Sequence, residues 1–397
     1  MKIIFVKCSA EYEIMVEQSM IACGIEIVSM DAPATEESSA LFLQQFIQNT
    51  QNGDIDFIFS LGFIPFVSLA CGAQNMRYVC WLIESWRNEY FSKIIKNEWN
   101  WVFCIHKAVC QELIRVGVPH VYYLPFGAGV GPSQLEKQND KQFLADAMSG
   151  EAEFYKQDAS LYGGITDYRK VPAHPFYASG PLKDAAKGYL EGCIACYHQL
   201  PECFPVAERL PDYVKNDFLT FYKPDMSETI ANIDWIFDHQ YFYPLITDTN
   251  REIFYAYLKN ERRLSKVKIY GDIKKEDAVS FEVEPTPTYN DLFGIAFRSK
   301  INLMIPERSF HGDLPPIAWQ ILGAKGFLLY MGNQSDVYPK SMSNTVFRTA
   351  RDMMQKVAYY LGRDKERQMI SEEIYQDILE HHTCSHRIKK MLELLQS

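Results

Sequence analysis

Within the first 125 residues, short apolar runs alternate with stretches of helical spacing, and this alternation narrows the fold more than any other feature of the chain. The runs Lys2–Lys7, Ile25–Met30, Ile55–Ser60, Arg77–Leu82, Trp101–Ile105 and Val121–Leu124 have strand length and are too short for buried helices. Strands separated by helical segments pair in parallel, because each crossover helix returns the chain to the same end of the sheet. Lys107–Val116 is one such crossover, with Val109, Leu113 and Val116 at helical spacing and Gly117 in a helix-stopping position before Pro119. The expected first domain is Rossmann-like, spans residues 1–130, and has no GxGxxG fingerprint.

The run Gly127 to Pro132, GAGVGP, and the polar stretch Glu136–Lys141 mark a linker. A second α/β domain over 150–365 opens with a short strand at Ala159–Gly164. It carries a mostly helical insertion at about 183–262 and resumes with the strand Lys266–Tyr270, a helix at Tyr289–Phe297, and strands at Ile301–Ile305 and Phe327–Tyr330. The helical pattern from Thr349 continues to Gln396, so residues 366–397 read as a helical tail. Two such domains enclose a cleft, a common place for a ligand.

Composition sets limits on function. A formal net charge of −10 argues against a general nucleic-acid binder, which would present a basic face. The ten cysteines fall mostly in apolar runs, which suits reduced core thiols and a cytoplasmic location. No run approaches the roughly 20 apolar residues of a membrane span, and the opening MKIIFVK is too short for a signal peptide, while peripheral membrane contact stays open. Cys193, Cys196, His198 and Cys203 resemble half of a zinc site, yet they lie in a helical pattern where thiols pack in cores. His381, His382 and His386 form a second group with the same standing, so no metal is expected.

The segment Ser299 to Phe327 places a strand, a polar loop and a helix in succession, and ligands of open α/β sheets bind at such crossings. Lys300, Glu307, Arg308, His311 and Gly312 are the polar and turn-forming residues there. Paired glycines in Tyr162-Gly163-Gly164, and Gly271 after Tyr270, would let backbone approach a ligand closely. Glu84 and His106 each follow a strand of the first domain and would face the same cleft.

Asp56 to Pro65, Trp81 to Trp86 and Tyr123-Leu124-Pro125 match in order the stretches "DxIFSFxFxP", "WxxDSP" and "YLP" of one family, and on these the chain resembles the CgeB-like glycosyltransferases whose N-terminal half is the DUF3880 domain. That family's "GYLEG" helix is Gly188 to Gly192, and its "SKINLN" strand is Ser299 to Met304. The pattern "PLRxFDIMGAGGF" aligns without gaps on Pro315 to Phe327, with Ile317 where the family has Arg and Gln320 where it has an acid. The tail run His382-Thr383-Cys384-Ser385-His386-Arg387 also matches.

The resemblance implies a GT-B architecture, two facing Rossmann-like domains, with an activated nucleotide sugar, a UDP-sugar being one candidate, held mainly by the second. It also implies metal-independent transfer to a cell-surface polymer, glycolipid or protein acceptor. Such transfer needs cations and helix N-termini to neutralise the leaving diphosphate and a group to position the acceptor hydroxyl. Lys300, Arg308, His311 and the N–H groups around Gly312–Leu314 are the expected cationic side, Gln320 the ribose contact, and Glu84, with His106 second, the acceptor-side base. The lost Arg and acid also leave room for a catalytically impaired homologue serving as a binding or partner subunit.

Overall fold

The computed structural model describes residues 1–8, 11–51, 53–84, 87–129, 155–165, 184–186, 188–189, 192–193, 210–221, 229–273, 281–310 and 312–396. The first half forms β1 (Lys2–Lys7), α1 (Glu13–Ala22), β2 (Glu26–Asp31), α2 (Glu36–Thr50), β3 (Phe57–Leu61), α3 (Pro65–Ala73), β4 (Tyr78–Leu82), β5 (Asn100–Cys104), α4 (Lys107–Arg115) and β6 (His120–Tyr123). These strands make one parallel six-stranded sheet in the order β2-β1-β3-β4-β5-β6. β3 and β4 are buried along their whole length, as strands covered on both faces must be, which explains their continuous apolar runs.

The second half contributes β7 (Gln157–Tyr162), α5 (Asp212–Phe221), α6 (Ile233–Phe237), α7 (Tyr243–Lys259), β8 (Val267–Tyr270), β9 (Glu282–Glu284), α8 (Tyr289–Phe297), β10 (Ser299–Met304), α9 (Pro316–Gly323), β11 (Leu328–Met331) and β12 (Val346–Phe347). Its parallel sheet has the order β12-β11-β10-β7-β8-β9. The edge strands β9 and β12 have no signature in the sequence, because three residues of Glu-Val-Glu and two of Val-Phe are too short to show a period.

The insertion ties the two halves together. α6, a π turn over Asp238–Phe242 and α7 follow one another without a break, a run about 40 Å long at 1.5 Å per residue. Pro244 lacks an N–H and would crowd the carbonyl a turn earlier, and the widened turn sits where that conflict falls. At one end Trp235 packs on Phe91 of the first domain, with ring centroids 5.6 Å apart. At the other, Phe254 lies 5.8 Å from Phe347 of β12. Ile236, Phe237, Phe242 and Ile246 share a core with β3, β4 and β5, so this part of the insertion belongs in space to the first domain.

The tail forms α10 (Ala350–Tyr360), α11 (Asp364–Asp377), a π turn and α12 (Cys384–Gln396). It returns to the first domain, where Ala128 and Thr383 form a parallel bridge and Arg77 Nη1 donates to the Leu395 carbonyl at 2.8 Å. Ile388, Met391 and Leu395 join the cluster of Met15, Val16 and Met20 from α1. Among the described residues, no helix is long and apolar enough to cross a membrane.

Candidate active site

The loop leaving β10 meets the carboxy ends of β5 and β6, with Phe310 on His106 and Asp313 on Lys107 and Tyr123, and the segments leaving β7 and β8 pack beside it. Tyr162 and Tyr270 are buried and stacked 5.6 Å apart, and the Tyr162 hydroxyl donates to Asn302 Oδ1 at 2.8 Å. They support the strand ends from within the core. Gly163, at φ +123°, donates to the Tyr270 carbonyl, and Ile165 N donates to Asp272 O at 2.6 Å. A side chain on Gly164 would run into the Asp272 backbone and one on Gly163 into the Arg251 guanidinium, so the paired glycines are required by the close packing of two loops. Gly271, at φ +134°, packs against the same glycines. Gly164→Ala should therefore cost about 1–3 kcal/mol of stability, read by chemical denaturation.

Arg251 on α7 is the cation that sequence reasoning missed. Its Nη1 donates to the Gly164 carbonyl at 2.8 Å, and its Nε donates to Ile305 O at 3.1 Å. Asp248 stands 3.9 Å away as a counter-charge. A guanidinium has five N–H donors, so these two bonds fix its plane at the mouth of the β7 and β10 loops while leaving further donors for an anion. The one available signal was a helix that buries Asp238, His239, Thr247, Asp248 and Asn250, a polar set that an ordinary surface helix would expose.

The loop from Ile305 to Pro315 lies against this helix. Arg308 N donates to Thr247 Oγ1 at 2.9 Å, and its side chain is within electrostatic reach of Tyr243. Glu307 is exposed, Gly312 takes φ +90°, and His311 lies outside the described residues. The expected cradle of backbone N–H groups is reduced. Asp313 N donates to Phe310 O, and α9 opens on Pro315 and Pro316, which have no N–H to offer.

Two expected contacts sit elsewhere. Lys300 occupies the amino end of β10, roughly 15 Å from the loop at 3.3 Å per residue, and pairs with Asp158 at 2.9 Å. Burial pushes the Asp158 carboxyl up, but Lys300 and the Ser265 and Lys266 groups more than reverse this and hold it at about 2. Gln320 is fully buried, accepts from Gly129 N at 3.1 Å and points its amide nitrogen at Met15 Sδ and Gly127 O. A ribose reaches it only by displacing one of these contacts.

The first domain supplies Glu84 and His106. Glu84, after β4, is half exposed and bound by both arms of Arg87, with Nη2 2.6 Å from Oε1. His106, between β5 and α4, is 1% exposed, and among the described residues neither ring nitrogen makes a well-formed hydrogen bond, although the Ser309 backbone lies close enough to favour the protonated ring. Its ring centroid is 4.0 Å from that of Phe310 in the opposing loop. Burial, helped by nearby His239 and opposed by the Ser309 backbone, pulls its pKa down to about 3. His239 sits on the π turn, stacked 3.9 Å from Trp235, with Nδ1 3.0 Å from the Trp235 carbonyl, and burial lowers its pKa to about 4. Both imidazoles are neutral at physiological pH.

Of the sequence's metal candidates, Cys196, His198 and Cys203 lie outside the described residues. His382 Nδ1 meets Arg387 Nη2 at 2.8 Å, and His386 Nδ1 meets Thr383 Oγ1 at 2.6 Å, so these two rings fasten the tail. Among the described residues no group of three His, Cys, Asp or Glu could hold a metal ion.

No curated protein matches the chain. Among solved structures, the DNA-modifying enzyme β-glucosyltransferase, studied with and without its substrate uridine diphosphoglucose, is 6% identical with a TM-score of 0.51, covering 100% of each chain. A glycosyltransferase from Rickettsia africae ESF-5 is 11% identical at a TM-score of 0.48, covering 99% of this chain and 97% of that one. Residues 251–393 match the family described as glycosyl transferase-like. The chain thus has the two-domain GT-B fold, and the part that carries Arg251, the β10 loop and α9 is similar to glycosyl transferase-like proteins.

Proposed function

We propose that this protein is a glycosyltransferase that moves a sugar from a nucleotide-sugar donor to a hydroxyl of a cell-surface polymer, glycolipid or protein acceptor in the cytoplasm. The observation that carries the reading is the meeting of Arg251, fixed between the loops leaving β7 and β10, with the Arg308 loop that sets Phe310 on the buried His106 of the first domain. The donor diphosphate lies against Arg251 and Arg308, which compensate the charge that builds as the anomeric bond breaks. UDP-glucose is the first donor to try, as the substrate of the β-glucosyltransferase that shares the fold.

His106 receives the acceptor hydroxyl on a ring nitrogen that no described side chain engages. An imidazole with a pKa of about 3 is a poor proton acceptor, so its role is to orient the hydroxyl. The hydroxyl proton passes to an oxygen of the departing diphosphate as the new glycosidic bond forms, which predicts retained anomeric configuration. Glu84, tied to Arg87, is left at the rim.

The test is binding followed by turnover. UDP-glucose or another nucleotide sugar should raise the melting temperature, and Arg308→Ala and Glu307→Ala should each lower kcat/KM about tenfold, a loss of about 1.4 kcal/mol. Wild-type rates in both variants would remove the loop from the site. The buried engagement of Gln320 and the apolar Ile317 favour a second reading, an impaired homologue acting as a binding or partner subunit. Donor binding without transfer or donor hydrolysis would favour that one.

A further inference from the structure

We propose that Asp313 is a positioning residue that clamps the β10–α9 loop of the second domain onto the first and so keeps the cleft closed over His106. Its side chain is buried, and both oxygens reach across the domain boundary. Oδ2 accepts from the backbone N–H of Lys107 at 3.1 Å, and Oδ1 accepts from the Tyr123 hydroxyl at 2.6 Å. The Tyr330 hydroxyl donates to its carbonyl at 3.0 Å and its own N–H is bound to Phe310 O, so the carboxylate is held rigidly from behind.

Lys107 is the first residue of α4, and the helix has no cap of its own. His106 stands at the capping position and makes no side-chain bond to the helix, whereas Thr35, Thr288 and Thr349 cap theirs from within the same helix. A helix N-terminus attracts a carboxylate through its unsatisfied N–H groups and its dipole. Here that carboxylate belongs to the opposing domain. The cap of α4 therefore forms only when the domains meet, and the same meeting sets Phe310 on the His106 ring. The contact of Gln320 with Gly129 is different in kind, since Gly129 lies just beyond β6, where the chain leaves the first domain.

The kinetic arm of the test rests on the proposed glycosyl transfer; the exchange and scattering arms do not. Asp313→Asn removes the charge and keeps the shape, Asp313→Ala removes both, and Tyr123→Phe removes one of the two bonds. Hydrogen exchange at the amides of residues 107–110 should be faster in both Asp313 variants, with the amides of β3 and β4 unchanged. Small-angle scattering should show a larger radius of gyration. With UDP-glucose, kcat should fall about tenfold while the dissociation constant for UDP stays within about twofold, the pattern of lost positioning rather than lost donor binding. Unchanged exchange at Lys107 together with an unchanged scattering curve in Asp313→Asn would overturn the clamp. Failure of the wild type to bind UDP or turn over a donor would count against the function, and exchange and scattering would still decide the clamp.

Discussion

Replacing Arg251 by alanine should lower kcat/KM for a nucleotide sugar roughly 100-fold, equivalent to about 2.7 kcal/mol of lost transition-state stabilisation. The guanidinium is 14% exposed and already oriented by the Gly164 and Ile305 carbonyls, so it meets developing charge on a diphosphate without first reorganising. The substitution also removes the donors that Arg251 gives to the Gly164 and Ile305 carbonyls, which should destabilise the fold by about 1–3 kcal/mol. These two effects separate. Arg251→Lys keeps the charge but loses the planar fork, so it should recover part of the donor affinity and little of the loop order. Donor titrations well below each variant's melting temperature read the first effect, and denaturation without nucleotide reads the second. Lost stability with unaltered donor affinity would make Arg251 a staple for the two loops and deprive the proposed diphosphate site of its best-ordered cation.

The strands of the first sheet and the inner strands of the second were legible because buried parallel strands are written as apolar runs, which the short edge strands β9 and β12 lack, and each expected run of the first domain lies within one or two residues of its observed place. The site was less legible, for two physical reasons. Distance along the chain from a strand is the one measure that sequence offers here, and it cannot tell the carboxy end of a strand from its amino end a few residues away. Lys300 is the example: it is the second residue of β10, while the loop at the carboxy end begins at Ile305. The second reason is that Arg251, His239 and Thr247 come to the cleft on a long helix whose path is set by where its ends pack, on Phe91 and on Phe347. Nothing local to Arg251 announces it. The sequence does place His106 directly after β5 and the polar loop directly after β10, where the structure has them. The Asp313 carboxylate meets α4 only through tertiary geometry, since its partners lie 206 and 190 residues away.

His106→Phe should raise stability while it abolishes most of the turnover. A buried imidazole that makes no well-formed hydrogen bond among the described residues, with only the Ser309 backbone nearby, carries a largely uncompensated desolvation cost, and an apolar ring of similar volume against Phe310 removes it, a gain of about 1 kcal/mol. Turnover should fall by roughly 10²-fold or more if the ring orients the acceptor hydroxyl. The pH dependence tests the same residue independently. The unfolded imidazole takes up a proton near its usual value of about 6.5, whereas burial keeps the folded one neutral until about 3. The stability that goes with the neutral ring is therefore fully present above about 6.5 and is lost as pH falls towards 3, at up to about 1.4 kcal/mol per pH unit for one proton. His239 and His382, both lowered to about 4, add slopes of the same sign over the upper part of that window. His106→Phe should flatten the profile by one proton, and His106→Asn should do the same without restoring transfer. A phenylalanine variant that is both less stable and fully active would mean that His106 packs the domain boundary and does nothing else, and the acceptor hydroxyl would then have to be sought along the rim at Glu84.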